Sequence, residues 1–263
     1  MKYDMLLDFD RILDSYYSIR SNTKNRRKLV KFEMFLFSNI GKILEDLEKR
    51  TYKHGKYSVF IIKVPKLRVI MSENMSDKIV NHLVSKYVLY PLLEPKLLNC
   101  NVASRANMGT KEGIRLLKKY INNHKDNLNN TYILKCDIRK FFYSIDHNIL
   151  IEKLKPLIED DDLLNLILEI INSTNNIENN KQLASIIDNE KRKINASNIS
   201  LKDKQKRISY LDGAVYYQQN RGLTIGNMSS QILAIFYLND LDHFIKEQLR
   251  IKEYIRYMDD FIF

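Results

Sequence analysis

The sequence predicts an α/β fold, α+β in stricter usage, because helical and strand patterns alternate along its 263 residues. Apolar residues recur at helical spacing in 1–50 and again in 75–98. β-branched and aromatic residues form short runs in 57–64 and in 254–263. A hydrophobic content of 44% is that of a globular protein with a buried core.

Composition narrows the class of partner. The net charge of +11 favours a polyanion, with nucleic acid ahead of an acidic membrane surface, although a generally basic composition would give the same number. No apolar run approaches the roughly 18 residues that a membrane span needs, so we expect a cytoplasmic protein that is neither secreted nor membrane-inserted. Cys100 and Cys136 have no metal-ligand spacing and are expected to be reduced thiols.

The first predicted strand, 57–64, is stopped by Pro65, and an extended pattern resumes in 66–70. This arrangement predicts a hairpin with Lys63, Lys66 and Arg68 around its turn. An ordinary charged hairpin edge would also explain these cations.

Helices are predicted between and beyond the strands. They cover 75–98 (interrupted by Pro91 and Pro95), a segment capped by Thr110 that runs to about Asn122, a segment that begins near His147, 162–171, and Ser229 to about Leu249. Between them, 172–206 is rich in Asn, Lys and Ser with little apolar periodicity, which predicts a mobile basic insertion outside the core.

Carboxylates stand at two strand ends. Asp259 and Asp260 lie at the predicted tip of the 254–263 hairpin, and Asp137 ends the run that begins at Tyr132. Carboxylate oxygens are the ligands that Mg²⁺ prefers, and no His/Cys cluster competes for the role. The acids at 160–162 are instead expected to be solvated charges at a helix N-terminus.

Three segments together resemble prokaryotic reverse transcriptases, over roughly residues 32–263. The segment 135–147 (KCDIRKFFYSIDH) resembles the first catalytic block, and 254–263 (YIRYMDDFIF) resembles the second. The segment 222–238 (GLTIGNMSSQILAIFYL) resembles the block that positions template and nucleotide.

The branch is suggested by Ile225-Gly226-Asn227 followed by Ser230-Gln231. These residues most resemble those of the branch that contains the reverse transcriptases of diversity-generating retroelements and the group II intron-like enzymes. The length of the 172–206 insertion leaves a retron-like or phage-defence enzyme open.

The resemblance implies the fingers and palm of a right-hand polymerase and RNA-templated DNA synthesis by two-metal nucleotidyl transfer. It makes Asp137, Asp259 and Asp260 the catalytic and metal-binding residues, joined by the Ile138 carbonyl. Two Mg²⁺ ions, or Mn²⁺ in their place, are the implied cofactors. RNA template, DNA primer and product, and dNTPs are the implied partners.

The resemblance also assigns contacts to substrates. The nucleotide-binding residues would be Arg68, Lys66, Phe142, Ile225 and Gly226, with Phe142 excluding a 2′-hydroxyl. The template and primer contacts would be Arg105, Ser230, Gln231, Tyr257 and Met258. An RNA polymerase is a rival that an aromatic ring at Phe142 disfavours.

The implied division of the chain has four parts. Residues 1–95 would be N-terminal helices and fingers, 96–150 the palm with the first Asp, 151–221 a fingers connector, and 222–263 the palm with the Asp pair. The family continues beyond the Asp pair with further palm, primer grip and thumb. We therefore expect a truncated, thumbless polymerase that a second polypeptide or accessory protein completes, or a catalytically incomplete nucleic-acid-binding fragment.

Overall fold

The computed structural model describes residues 1–23, 26–62, 68–175 and 177–263. The strands are β1 (Ser58–Ile62), β2 (Arg68–Ser72), β3 (Lys135–Asp137), β4 (Ile255–Tyr257) and β5 (Asp260–Ile262). The helices before β3 are α1 (Phe9–Asn22), α2 (Arg26–Glu33), α3 (Leu36–Glu48), α4 (Met75–Val84), α5 (Tyr90–Leu93) and α6 (Thr110–Asn123). Those after β3 are α7 (Phe141–Ser144), α8 (His147–Leu154), α9 (Asp161–Asn172), α10 (Ile177–Ala196), α11 (Leu201–Asp212), α12 (Met228–Tyr237) and α13 (Asn239–His243).

The main core joins the N-terminal helices to helices that follow β3 in the chain. Helices α1 and α3 pack on α4, and α12 packs on α4 and α8. Fully buried side chains such as Ile12, Ile40, Leu83 and Ile232 fill the space between these helices. Burying one such side chain contributes about 1.5–3 kcal/mol, so this shared core fixes where α12 begins.

The predicted pairing of two strands within 57–70 is confirmed. β1 and β2 pair antiparallel, with Ser58 opposite Ser72 and Ile62 opposite Arg68. Lys63 and Lys66 lie outside the described residues, as does the side chain of Arg68. The predicted interruption of 75–98 is also present, since a π-helical turn (Ser85–Leu89) precedes the helix that contains Pro91.

The segment 172–206, predicted to be a mobile insertion outside the core, is largely helical in its described part and contributes to a small core of its own. Helices α10 and α11 pack on each other, and α10 also packs on β1. Their buried side chains form a small second core with the hairpin: Leu183, Ile187, Leu211 and Val69. Because only a few side chains of α10 and α11 are buried, most residues of both helices are polar. The composition of the segment therefore resembles that of a loop.

Two other helix predictions need correction. The helix expected from Ser229 to about Leu249 is interrupted at Leu238, after which α13 and a π-helical turn (Phe244–Gln248) follow. Thr110, expected to cap α6, is instead its first residue, and Gly109 occupies the cap position with a φ of +112°.

The second sheet has the order β3-β5-β4, and both of its strand pairs are antiparallel. Backbone hydrogen bonds between Leu134 and Phe263 extend the β3–β5 ladder by one more pair. No helix among the described residues is both long and apolar enough to cross a membrane.

Candidate active site

The two predicted carboxylate segments meet in the second sheet. Asp137, the last residue of β3, lies directly opposite Asp260, the first residue of β5. The β4–β5 hairpin turns through Met258 and Asp259, and the Ile138 amide donates to the Asp259 carbonyl at 3.3 Å. Met258 has a φ of +57°, a left-handed conformation that is uncommon outside glycine and asparagine. The fold thus brings Asp137, Ile138, Asp259 and Asp260 to one end of the three-stranded sheet, the carboxylate edge.

This edge concentrates negative charge. Burial raises the pKa of the Asp259 carboxyl, and the charges of Asp137 and Asp260 raise it further. The ammonium of Lys135 lies 3.3 Å from Asp260 Oδ1, on the exposed side. A divalent cation bound here would relieve the repulsion among the carboxylates.

The donor set fits a hard cation in its chemistry. Carboxylate and carbonyl oxygens are the ligands of Mg²⁺, and directly opposed residues have Cβ atoms about 4.5–5.5 Å apart. Within the part of the chain that the structure describes, no three His, Cys, Asp or Glu side chains are grouped so as to hold a metal ion. Side-chain rotation at Asp137, Asp259 and Asp260 would therefore have to accompany metal binding.

A buried ion pair fixes the hairpin that carries Asp259. Arg256 in β4 has no exposed surface, and its Nε and Nη2 donate to the two carboxylate oxygens of Asp242 at 2.7 and 2.5 Å. Its Nη1 donates to the carbonyl of Met258 at 2.9 Å, and Nη2 also donates to the carbonyl of Ile235. Bidentate pairing of this kind restricts direction as well as distance, so the turn is held against α12 and α13.

This pair is not predicted from the sequence, in which Tyr254-Ile255-Arg256 is recognisable only as a β-prone run. A signal was present, since an arginine inside a short apolar strand requires a buried acceptor. The spacing of the two residues does not identify Asp242 as that acceptor, because no sequence pattern fixes the course of the helix end and loop between them.

The segment after Asp137 carries the two adjacent phenylalanines. Phe141 is buried in the core at 3% exposure, whereas Phe142 is only half-buried. The Leu223 amide donates to the Phe142 carbonyl at 2.7 Å, and the Gly222 amide donates to the Ile145 carbonyl at 2.8 Å. The glycine loop 222–227 is thereby attached to the segment that follows Asp137.

Within that loop, Ile225 is half-buried and Gly226 is exposed. Gly226 has a φ of +116°, and a Cβ there would meet no protein atom within 4 Å. Its glycine is therefore required by backbone conformation, and open space faces it.

The predicted template and primer residues divide into two groups. Tyr257 is 43% exposed and Met258 is half-buried, both at the carboxylate hairpin. Ser230 is buried, and Gln231 accepts a hydrogen bond from the Ser104 hydroxyl at 3.0 Å. The guanidinium of Arg105 donates to the carbonyls of Leu98 and Asn101 at 2.8 and 3.1 Å, which stabilises its own loop.

Comparison with known proteins gives one family. A family model described as reverse transcriptase (RNA-dependent DNA polymerase) matches residues 53–263. No individually curated protein matches the sequence. Because the family match covers most of the chain and includes both carboxylate segments, this protein belongs to the reverse transcriptase (RNA-dependent DNA polymerase) family and is a nucleotidyltransferase.

Proposed function

We propose that the chain copies RNA into DNA at the edge where β3 meets the β4–β5 hairpin, with Asp137, Asp259 and Asp260 as the catalytic carboxylates. The observation that carries this proposal is the register that sets Asp137 opposite Asp260 and puts Asp259 in the adjoining turn. Residues so distant in sequence meet there only through the sheet.

Asp137, Asp259, Asp260 and the Ile138 carbonyl are the proposed ligands of two Mg²⁺ ions, or of Mn²⁺. When bound, the ions would lower the pKa of the primer 3′-hydroxyl and stabilise the leaving pyrophosphate. The protein contributes position: Arg256 holds the Met258 carbonyl, so Asp259 starts from a fixed backbone.

The incoming nucleotide would lie over Phe142 and against the backbone of Ile225 and Gly226. A half-buried ring at Phe142 presents a flat wall to a sugar, and an extra 2′-hydroxyl would clash with it. Arg68, the first residue of β2, and Lys66 are the proposed triphosphate contacts, since guanidinium binds phosphate bidentately.

Template and primer contacts are proposed at two places. The Ser104 hydroxyl joins the Arg105 loop to Gln231 of α12, so these residues would form one contact surface. Tyr257 and Met258 adjoin Asp259 and are the proposed primer contacts. We also propose that the β1–β2 hairpin belongs to the fingers and the second sheet to the palm.

Within the family, we propose that the chain is most similar to the reverse transcriptases of diversity-generating retroelements. This similarity rests on Ile225-Gly226-Asn227 and Ser230-Gln231 alone. In this chain Asn227 and Ser230 are buried, so those identities have structural consequences beyond any contact with a substrate.

The proposal is tested by adding single nucleotides to a DNA primer annealed to RNA. We expect Mg²⁺-dependent incorporation of the complementary dNTP, little incorporation of the matching NTP, and none by Asp137→Asn. Incorporation of NTPs in preference to dNTPs would contradict the proposal, as would full activity of Asp137→Asn.

A further inference from the structure

A buried polar cluster lies between the glycine loop and the first sheet. We call it the loop cluster, and its members come from three parts of the chain: Tyr57, Glu73, Asn81, Thr224, Asn227 and Ser229. Each is buried, with Glu73 the most exposed at 8%. Buried polar groups are costly unless hydrogen-bonded, so the partners within this cluster restrict the backbone that carries them.

Asn227 is the central member on the loop side. It occupies the N-cap position of α12, but its side chain makes no capping hydrogen bond. Its Nδ2 instead donates to Glu73 Oε1 at 2.7 Å and to the Tyr57 hydroxyl at 3.1 Å. A favourable cap residue is thus used to hold a different part of the fold.

Glu73 is the acceptor on the other side. Its Oε1 accepts from Asn227, from Asn81 Nδ2 and from His54 Nε2 at 3.2 Å. Three donors converge on one buried carboxylate oxygen, which satisfies a group that would otherwise be expensive to bury.

Two more contacts attach the loop at its flanks. The hydroxyls of Tyr57 and Thr224 share a hydrogen bond of 3.3 Å, and Ser229 donates to Asn81 Oδ1. Thr224 and Asn227 are therefore both held, and the two residues between them are Ile225 and Gly226.

We propose that Glu73 and Asn227 are a positioning pair that fixes the backbone of Ile225 and Gly226 against the β1–β2 hairpin. This inference rests on the proposed function, in which those two residues face the incoming dNTP. Neither Glu73 nor Asn227 touches the nucleotide in this proposal; they act through the loop.

The Tyr217 hydroxyl contacts the Leu223 carbonyl at 3.4 Å and the Ile225 backbone, so the pair adds to this support and matters most at Gly226. Gly226 is exposed, and no side chain packs where its Cβ would be. A glycine also has the widest choice of backbone conformations, so an unheld loop would disorder readily. The hydrogen bonds of its neighbours are what select one conformation.

The direction of the Asn227–Glu73 hydrogen bond allows a test by exchange of polarity. Asn227→Asp keeps the shape of the side chain but replaces the donor with an acceptor that faces the Glu73 carboxylate. Glu73→Gln keeps an acceptor oxygen and adds a donor. The double variant Asn227→Asp/Glu73→Gln restores one donor and one acceptor, with their roles reversed. Asn81 and His54 donate to the same Glu73 oxygen in the wild type, so in the double variant the Asn81 amide turns over and neutral His54 accepts through Nε2.

We expect Asn227→Asp to raise the KM for dNTP by about tenfold, which corresponds to about 1.4 kcal/mol, with a smaller effect on kcat. Hydrogen exchange of the loop amides at 222–227 should become faster in the same variant. The double variant should return both quantities toward their wild-type values, which simple loss of stability would not do.

Asn239→Asp is the matched control, because it is the same substitution at another buried asparagine. Asn239 is 6% exposed, and its Nδ2 donates to the Lys96 carbonyl at 3.2 Å. Neither residue belongs to the loop cluster. We expect Asn239→Asp to lower overall stability while the KM for dNTP and the relative exchange of 222–227 stay unchanged.

Two outcomes would overturn the positioning pair. One is Asn227→Asp with wild-type KM and wild-type loop exchange; the other is a double variant no better than Asn227→Asp. The exchange measurement needs no catalysis, so it decides this question even if the wild-type protein fails to copy RNA, a result that would count against the proposed function alone.

Discussion

Phe142 is the single residue on which the proposed choice of sugar depends. Its neighbour Phe141 is buried, and the two rings meet edge to face with centroids 5.8 Å apart. Phe141 thus does the core packing and leaves part of the Phe142 ring accessible. We expect Phe142→Ala to admit NTPs by removing the wall, measured as the ratio of kcat/KM for dNTP and NTP in primer extension.

The adjacent residue supplies the control. Phe141→Ala should cost about 3–5 kcal/mol of stability, as large-to-small changes in a core do, without altering the choice of sugar. An unchanged dNTP preference in Phe142→Ala would assign that ring to packing alone.

A comparison of Gly226 with Gly41 distinguishes the energetic effect of backbone conformation from that of steric crowding. A Cβ at Gly226 or at Gly41 would meet no atom within 4 Å, but only Gly226 has a positive φ. Gly226→Ala should destabilise the protein by about 1–3 kcal/mol, because alanine rarely adopts that conformation. Gly41→Ala, in helix α3, should instead stabilise it by roughly 0.5–1 kcal/mol. Urea unfolding measures both, and equal effects would refute the assignment to conformation.

At the scale of elements, the β4–β5 hairpin depends on the Arg256–Asp242 pair. Asp242→Ala leaves Arg256 buried without its counter-charge, which should cost about 3–5 kcal/mol of stability. Replacing both residues, as Arg256→Met/Asp242→Leu, removes the charges together and should recover part of that loss, because the buried Tyr254 hydroxyl, which donates to Asp242 at 2.8 Å, stays unpaired. Thermal or urea unfolding checks this comparison.

The double variant should nevertheless extend primers poorly. It lacks the donor that Arg256 gives to the Met258 carbonyl, so the turn that carries Asp259 is less restricted. Full extension by a stable double variant would show that the ion pair contributes to folding only.

Both hairpins could be predicted from sequence because their signals are local. β-branched runs bounded by Pro65 or by an Asp pair define β1–β2 and β4–β5, and alternation sets their register. The meeting of Asp137 with Asp260 was predicted only through resemblance, since no local pattern specifies which distant strand is the neighbour.

Other features had no local signal. Helices α10 and α11 bury few side chains, among them Leu183, Ile187 and Leu211, so their apolar periodicity is weak. The interruption of the helix at Leu238 occurs within a continuous apolar pattern, so the pattern does not predict it. Glu73 and Asn227 are 154 positions apart, and their pairing follows from tertiary packing alone.

At the scale of the whole molecule, one buried cluster should make stability depend on pH. The His54 side chain is 1% exposed, and its two ring nitrogens face the Gly55 carbonyl and the Glu73 carboxylate. Burial lowers the pKa of His54, but Glu73 and Asp77 outweigh that effect and raise it above the ordinary 6.5. Burial also raises the pKa of the Glu73 carboxyl above 4.5.

Both groups therefore hold protons more tightly in the folded chain, and the free energy of unfolding should fall as pH rises. The His54 contribution is complete below its ordinary pKa of 6.5 and is lost as pH rises through the elevated value. Urea unfolding across that range should show this loss in the wild type and not in His54→Gln. An identical pH profile for the two proteins would refute it.

His243→Gln provides the comparison for an exposed site. Its imidazole contacts Glu247 at 2.7 Å on the surface, and this contact raises the pKa of His243. Exposed pairs contribute only about 0–1 kcal/mol and are screened by salt. His243→Gln should therefore leave the pH profile close to that of the wild type at high salt.

The central claim is that Asp137, Asp259 and Asp260 form the polymerase site on a basic protein that binds nucleic acid independently of them. The measurement is Mg²⁺-dependent primer extension on RNA by Asp259→Asn, beside its affinity for the RNA–DNA hybrid at several salt concentrations. Asp162→Asn, an identical change at an exposed acid that pairs with Arg50, is the control. We predict that extension by Asp259→Asn falls by about a hundred- to a thousandfold or more, the scale of losing one preorganised electrostatic group. Its hybrid binding should stay intact and weaken with salt, as counterion release requires. Extension by Asp259→Asn at the rate of Asp162→Asn would contradict the claim.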